Sequence, residues 1–98
     1  MESAYEKCLS FELTKAGLRN ETQKGLPVNY KGIQIDCGYR IDILVDDKLI
    51  VELKAVDKVL PVYQSQILTY MKLAGVSTGL LLNFNVAKLK DGIQRFVL

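Results

Sequence analysis

Histidine is absent from this 98-residue chain. That one absence removes Ser-His triads, Cys-His proteases, His-dependent nucleases and His-ligated zinc, so any catalyst must be built from carboxylates, lysine and tyrosine. Cysteine is scarce: Cys8 and Cys37 are the only two. They form no CxxC pair, so their spacing supports neither a disulfide framework nor a zinc site, and a reducing, cytoplasmic setting is expected. No apolar run approaches the roughly 20 residues that a membrane-spanning helix requires. The N-terminus lacks the basic, apolar, small-residue order of a signal peptide. A soluble intracellular protein without membrane association is the expectation. An excess of charge is missing too: 13 basic residues face 11 acidic ones, a balance that argues neither for nor against a nucleic-acid partner.

What remains is an ordinary globular composition, 49% apolar and 24% charged, enough for one modest core and a single domain over residues 1–98. A chain this short buries a smaller share of its surface than a larger one, so docking as a homodimer or on a partner protein would stabilise it.

Between Glu2 and Ala16 the apolar residues Tyr5, Cys8, Leu9, Leu13 and Ala16 recur at three- and four-residue steps, which predicts an amphipathic helix with Gly17 closing it. Leu18–Ile35, with Gly25, Pro27 and a turn at Lys31-Gly32, reads as a first hairpin. Tyr39–Val45 and Leu49–Ala55 read as a second, joined by Asp46-Asp47-Lys48. A three-residue loop sets Val45 against Leu49, Ile43 against Val51 and Ile41 against Leu53, all apolar, whereas a slip of one residue would send these side chains to the wrong face. Pro61 suits the first turn of a helix running to Ala74, with Gly75 as its stop. Gly79–Phe84 is a nearly continuous apolar run, as in a strand covered on both faces. Asp91-Gly92 marks a turn before a last strand, Ile93–Leu98. The expected order is α-β-β-β-α-β-β, with a fourth strand possible before the second helix.

The same register puts Asp42 opposite Glu52 and Arg40 opposite Lys54 on the other face of the hairpin. Like charges side by side on a sheet destabilise it, and a cation between them removes the cost. Magnesium, a hard ion that takes one or two carboxylates and keeps water and phosphate in its other positions, fits the demand. Lys54 points at whatever the ion holds. The plain alternative is a solvated hairpin face on which the four charges pair across strands. Glu2 and Glu6 share one face of the first helix and would offer a third carboxylate, or merely favour the helix dipole. Gln66 and Tyr70, also four apart, present an amide and a phenol together, or form a helix flank with a half-buried tyrosine.

Asp42 followed by Glu52-Leu53-Lys54 resembles the D…ExK signature of the PD-(D/E)xK nuclease superfamily, and Gln66-Ile67-Leu68-Thr69-Tyr70 resembles the QxxxY motif of its RecB-like members. Glu2-Ser3-Ala4-Tyr5 is similar to the ExxY half of the bacterial GxxExxY proteins, and Gly38–Asp42, Ile50–Ala55, Leu82–Val86 and Leu89–Ile93 look the same way. The resemblance implies an α/β (α+β) fold with a restriction-endonuclease-like core, a central mixed sheet of four to five strands flanked by helices. It makes Asp42, Glu52 and Glu2 the metal ligands, with Glu6 as substitute for Glu2, Lys54 the catalytic lysine, and Gln66 and Tyr70 helpers around the active site. The glycine of GxxExxY would precede Met1, so the chain is expected to lack the family's usual N-terminal helical segment.

The expected function is therefore Mg²⁺-dependent hydrolysis of nucleic-acid phosphodiesters, with Mn²⁺ as substitute metal, DNA as substrate ahead of RNA, and Arg40, Gln66 and Tyr70 touching it. A catalytically inactive module of the same fold that binds nucleic acid or a protein, and a toxin-like or defence component dependent on a second chain, are the competing expectations.

Overall fold

The computed structural model describes residues 1–98. Its elements run α1 (Glu2–Lys15), β1 (Asn20–Gly25), β2 (Val28–Tyr30), β3 (Ile33–Ile35), β4 (Arg40–Val45), β5 (Leu49–Lys54), α2 (Pro61–Ala74), β6 (Thr78–Asn83), the 3-10 turn Leu89–Gly92, and β7 (Ile93–Val97). Five of the strands make one mixed sheet in the order β1-β4-β5-β6-β7. All neighbours are antiparallel except β5 and β6, which α2 connects as a crossover must.

The second hairpin forms with the expected loop and the expected pairing next to it. Asp46 and Asp47 hold φ values of 54° and 56° in the loop, and Val45 pairs with Leu49 and Ile43 with Val51. The first hairpin is narrower than Leu18–Ile35. Asn20–Gly25 pairs with β4 as an edge strand of the main sheet, and only Val28–Ile35 folds back on itself, about Lys31-Gly32. Pro27 supplies no N–H for a ladder, which suits the break between these two segments.

Alternation along the central strands feeds two cores. Ile43, Val45, Val51, Leu53 and Leu82 face α1, whose Tyr5, Leu9 and Leu13 lie over them. Leu44 and Ile50 face α2, packed with Ile67, Tyr70, Met71, Leu26 and Val76. Ile43, Ile50 and Ile67 have no exposed surface, and each contributes about 1.5–3 kcal/mol by leaving water. α1 is the thinner cover: none of its residues is buried, although the Tyr5 ring stacks on Phe84 with centroids 4.2 Å apart.

The loop after β6 is tied down from two sides. The amide of Asn83, itself buried, bridges Val56: its Nδ2 donates to the Val56 carbonyl at 2.9 Å and its Oδ1 accepts the Val56 N–H at 3.1 Å. Phe84 N–H donates to the Lys54 carbonyl at 2.8 Å. Gly92 lies so close to the Asn83 carbonyl that a Cβ there would collide with main chain. Gly92→Ala is accordingly expected to cost about 1–3 kcal/mol, the usual penalty of overpacking, read as a lower urea midpoint at unchanged m-value. An unchanged midpoint would mean that this loop is not fixed against β6.

Candidate active site

Pairing between β4 and β5 stops at Ile43–Val51. Beyond it two carboxylates take the place of main-chain partners. Asp42 Oδ2 accepts the Leu53 N–H at 2.9 Å, and Glu52 Oε1 accepts the Asp42 N–H at 3.4 Å. Parting strands leave donors without acceptors, and here the acidic side chains cross the gap. Asp42 and Glu52 therefore meet, as the register argument expects, but through side chains bridging a split.

The split changes the faces as well. Strict alternation would keep Ile41 with Ile43, yet Ile41 belongs to the core under α2 and Ile43 to the core under α1. The expected pairs Ile41–Leu53 and Arg40–Lys54 do not form, because the ladder has ended before them. On the other side of β4, the register runs through Thr22–Ile43 and Lys24–Ile41. Gln23, between them, drops out of the ladder with φ 51°. Its Nε2 donates to both oxygens of Glu6 at 3.2 Å and lies 3.4 Å from Asp42 Oδ1.

Glu52 is 5% exposed. Burial first, then the neighbouring Asp42 charge, raises its carboxyl from 4.5 to about 9, and Lys54 offsets only a small part of this. At neutral pH Glu52 holds its proton, the cheaper state for a buried carboxyl beside a second acid. Lys54 does not close an ion pair with either acid; its Nζ sits over the Tyr63 ring, 4.4 Å from the centroid, a cation–π contact.

On α2, Gln66 Nε2 donates to the Tyr70 hydroxyl at 3.1 Å. Tyr70 is almost fully buried against Tyr39, and burial, followed by the Glu52 charge, raises its phenol above the usual value. The QxxxY pair lines a hollow of its own with Tyr39, Val62, Ser65 and Thr69, apart from the pocket at Asp42. Glu2 and Glu6 line one pocket of about 170 Å³ with Ser3, Gln23, Asp42 and Leu53, so α1 brings two of its three acids to the Asp42 side. No three acidic side chains gather tightly enough to cage an ion alone. Arg40 turns away, 3.7 Å from Asp36 Oδ1, in a separate hollow with Gly25, Leu26 and Pro27.

Sequence reasoning missed Gln23 and Tyr63. Nothing in the pattern marks Gln23, whose place opposite Asp42 comes from the pairing of β1 with β4. Tyr63 is invisible for the same reason: its ring meets Lys54 only once α2 crosses the sheet.

A family model described as the PD-(D/E)XK nuclease superfamily matches residues 1–96. No curated protein and no solved structure matches the chain.

The raised Glu52 carboxyl has a consequence for metal-free stability. Below about pH 4.5 both folded and unfolded chains hold the proton; above it the unfolded chain releases it while the folded one keeps it up to about 9. The unfolded state then binds fewer protons, so stability falls as pH rises through that window. In EDTA the melting temperature should decline from pH 5 to pH 9, and Glu52→Gln should flatten the decline. Parallel curves for the two proteins would refute the buried proton.

Proposed function

Because the chain belongs to the PD-(D/E)XK nuclease superfamily, whose members are usually nucleases and generally use divalent metals, we propose that it is a Mg²⁺-dependent nuclease acting on DNA. The observation that carries this reading is the carboxylate pair bridging the split between β4 and β5. A buried acid that holds a proton beside a second acid is a place where a divalent cation replaces the proton.

The donors suit such an ion. Asp42 and Glu52 would hold it, with Glu2 or Glu6 reaching in from α1 and Mn²⁺ serving as substitute, since hard oxygen ligands with open positions favour Mg²⁺. When bound, the ion supplies a Lewis acid that polarises the scissile phosphate and acidifies an attacking water. Lys54, leaving the Tyr63 ring, steadies the charge that builds on the phosphate. Gln66 and Tyr70, from their own hollow, contact the phosphate or base through amide and hydroxyl. Burial of Glu52 puts its contacts in a medium of lower dielectric, where they are stronger than in water.

The test pairs cleavage with metal binding. Single-stranded DNA, duplex DNA and RNA are incubated with Mg²⁺ or Mn²⁺ and either the unaltered protein, Asp42→Ala or Lys54→Ala. The unaltered protein should cut DNA, and each variant should lose about 100-fold or more. Added Mg²⁺ should raise the melting temperature of the unaltered protein and of Lys54→Ala but not of Asp42→Ala. Identical products from all three proteins would trace the activity to a contaminant and sink the reading.

A further inference from the structure

The chain between Leu26 and Tyr39 leaves the main sheet. β2 and β3 pair only with each other, and every residue from Asn29 to Gly38 is exposed. The base of this ribbon is nevertheless clamped. Leu26 N–H donates to the Tyr39 carbonyl at 3.0 Å, Leu26 is buried, and the Tyr39 ring packs 5.5 Å from that of Tyr70. The tip is tight as well: Lys31 and Gly32 have φ values of 51° and 82°, and Gly32 N–H donates to Asn29 Oδ1 at 3.2 Å. Positive φ at both loop residues is the I′ geometry that asparagine and glycine favour. Lys31, in the first of these positions, lays its ammonium over the Tyr30 ring, 5.4 Å from the centroid, beside the tip of a stiff turn.

The register gives the ribbon two unlike sides. Val28 pairs with Ile35 and Tyr30 with Ile33, while Asn29 pairs with Gln34. One side is wholly apolar, and Tyr30 and Ile33 on it are 56% and 65% exposed. An apolar side alone would suit a protein partner. The charges around it favour a polyanion.

The ribbon leads into β4 two residues before Asp42, at the sheet end where β5 and β6 also finish. Their following loops carry Lys58 on one side and Lys88 and Lys90 on the other, joined by the Phe84–Lys54 main-chain bond. Lys31, Lys58, Lys88 and Lys90 have no carboxylate within ion-pair reach; at the opposite end Arg19 is matched by Asp46 and Asp47, and Lys48 there is unpaired. Unmatched cations thus sit on the ribbon and on the loops at this end of the sheet. A two-stranded ribbon fits the major groove of B-form DNA, about 12 Å wide, where apolar side chains meet thymine methyls. A single strand has no groove to receive it, and the major groove of an RNA duplex is too deep and narrow.

We propose that the β2–β3 ribbon is an arm that lies in the major groove of duplex DNA, with the lysines of the neighbouring loops holding the phosphate backbone across the carboxylate pair. The substrate class is then double-stranded DNA, a refinement that rests on the nuclease reading of Asp42 and Glu52.

Metal-free protein is titrated by fluorescence anisotropy against a 20-base-pair DNA duplex, one of its strands and the matching RNA duplex, a probe length of about two helical turns. The unaltered protein should bind the DNA duplex at least tenfold more tightly than the other two. Lys31→Ala should reduce the slope of log affinity against log salt by about one. Tyr30→Ser combined with Ile33→Ser should weaken duplex binding about tenfold and leave that slope unchanged. Circular dichroism confirms that both variants fold. Duplex affinity untouched by either variant would overturn the arm and leave the nuclease reading standing. So would light scattering that finds the unaltered protein dimeric and the ribbon variants monomeric, since the apolar side then belongs to a second copy. Ribbon-dependent duplex binding without any cleavage in Mg²⁺ would support the arm and defeat the nuclease reading.

Discussion

A β-ladder that stops early leaves main-chain donors facing empty space, and a protein interior tolerates this only when other acceptors arrive. Between β4 and β5 the acceptors are the side chains of Asp42 and Glu52. The same carboxylates that repair the ladder are thereby brought within each other's field, in a place dry enough to hold a proton at neutral pH. Structural need and chemical potential coincide in two residues. Separating the strands further would strand the donors, and closing them would expel the acids.

The rest of the sheet supports that gap. The pairing of β1 with β4 carries Gln23 to Asp42, and the kink at Gln23 joins Glu6 on α1 to the same carboxylate. The parallel pairing of β5 with β6 puts α2 across the other face, so Tyr63 receives Lys54 while Tyr70 packs into the core against Tyr39. Asn83 and Gly92 fix the loop beyond β6 against the end of β5. Each face thus contributes a helix that both covers apolar residues and carries polar groups toward the split.

Lys54 illustrates how a side chain answers its surroundings before a ligand arrives. It closes no ion pair, and the ammonium rests on the Tyr63 ring instead. Under the proposed function, exchange of the Glu52 proton for a divalent ion and an anionic phosphate changes which partner is better. The same logic applies to the exposed lysines of the loops after β5 and β6, which no carboxylate of this chain neutralises.

Much of this was legible in the amino-acid order. Both helices, their glycine stops, the three-residue loop of the second hairpin and the pairing of Ile43 with Val51 follow from apolar spacing and turn chemistry, because those are local forces acting within a few residues. The meeting of Asp42 with Glu52 followed from register. The sequence could not show that the ladder ends at Ile43, that Ile41 changes sides, or that Asn20–Gly25 joins the main sheet rather than folding back on β2. Those depend on which distant strand competes for each main-chain donor, and Gln23 and Tyr63 acquired their contacts in the same competition. Composition and periodicity determined which residues were able to make elements and a carboxylate pair; only long-range packing decided where the pairing would fail and which side chains would fill the gap, since a hydrogen bond denied locally is satisfied by whatever the fold brings near.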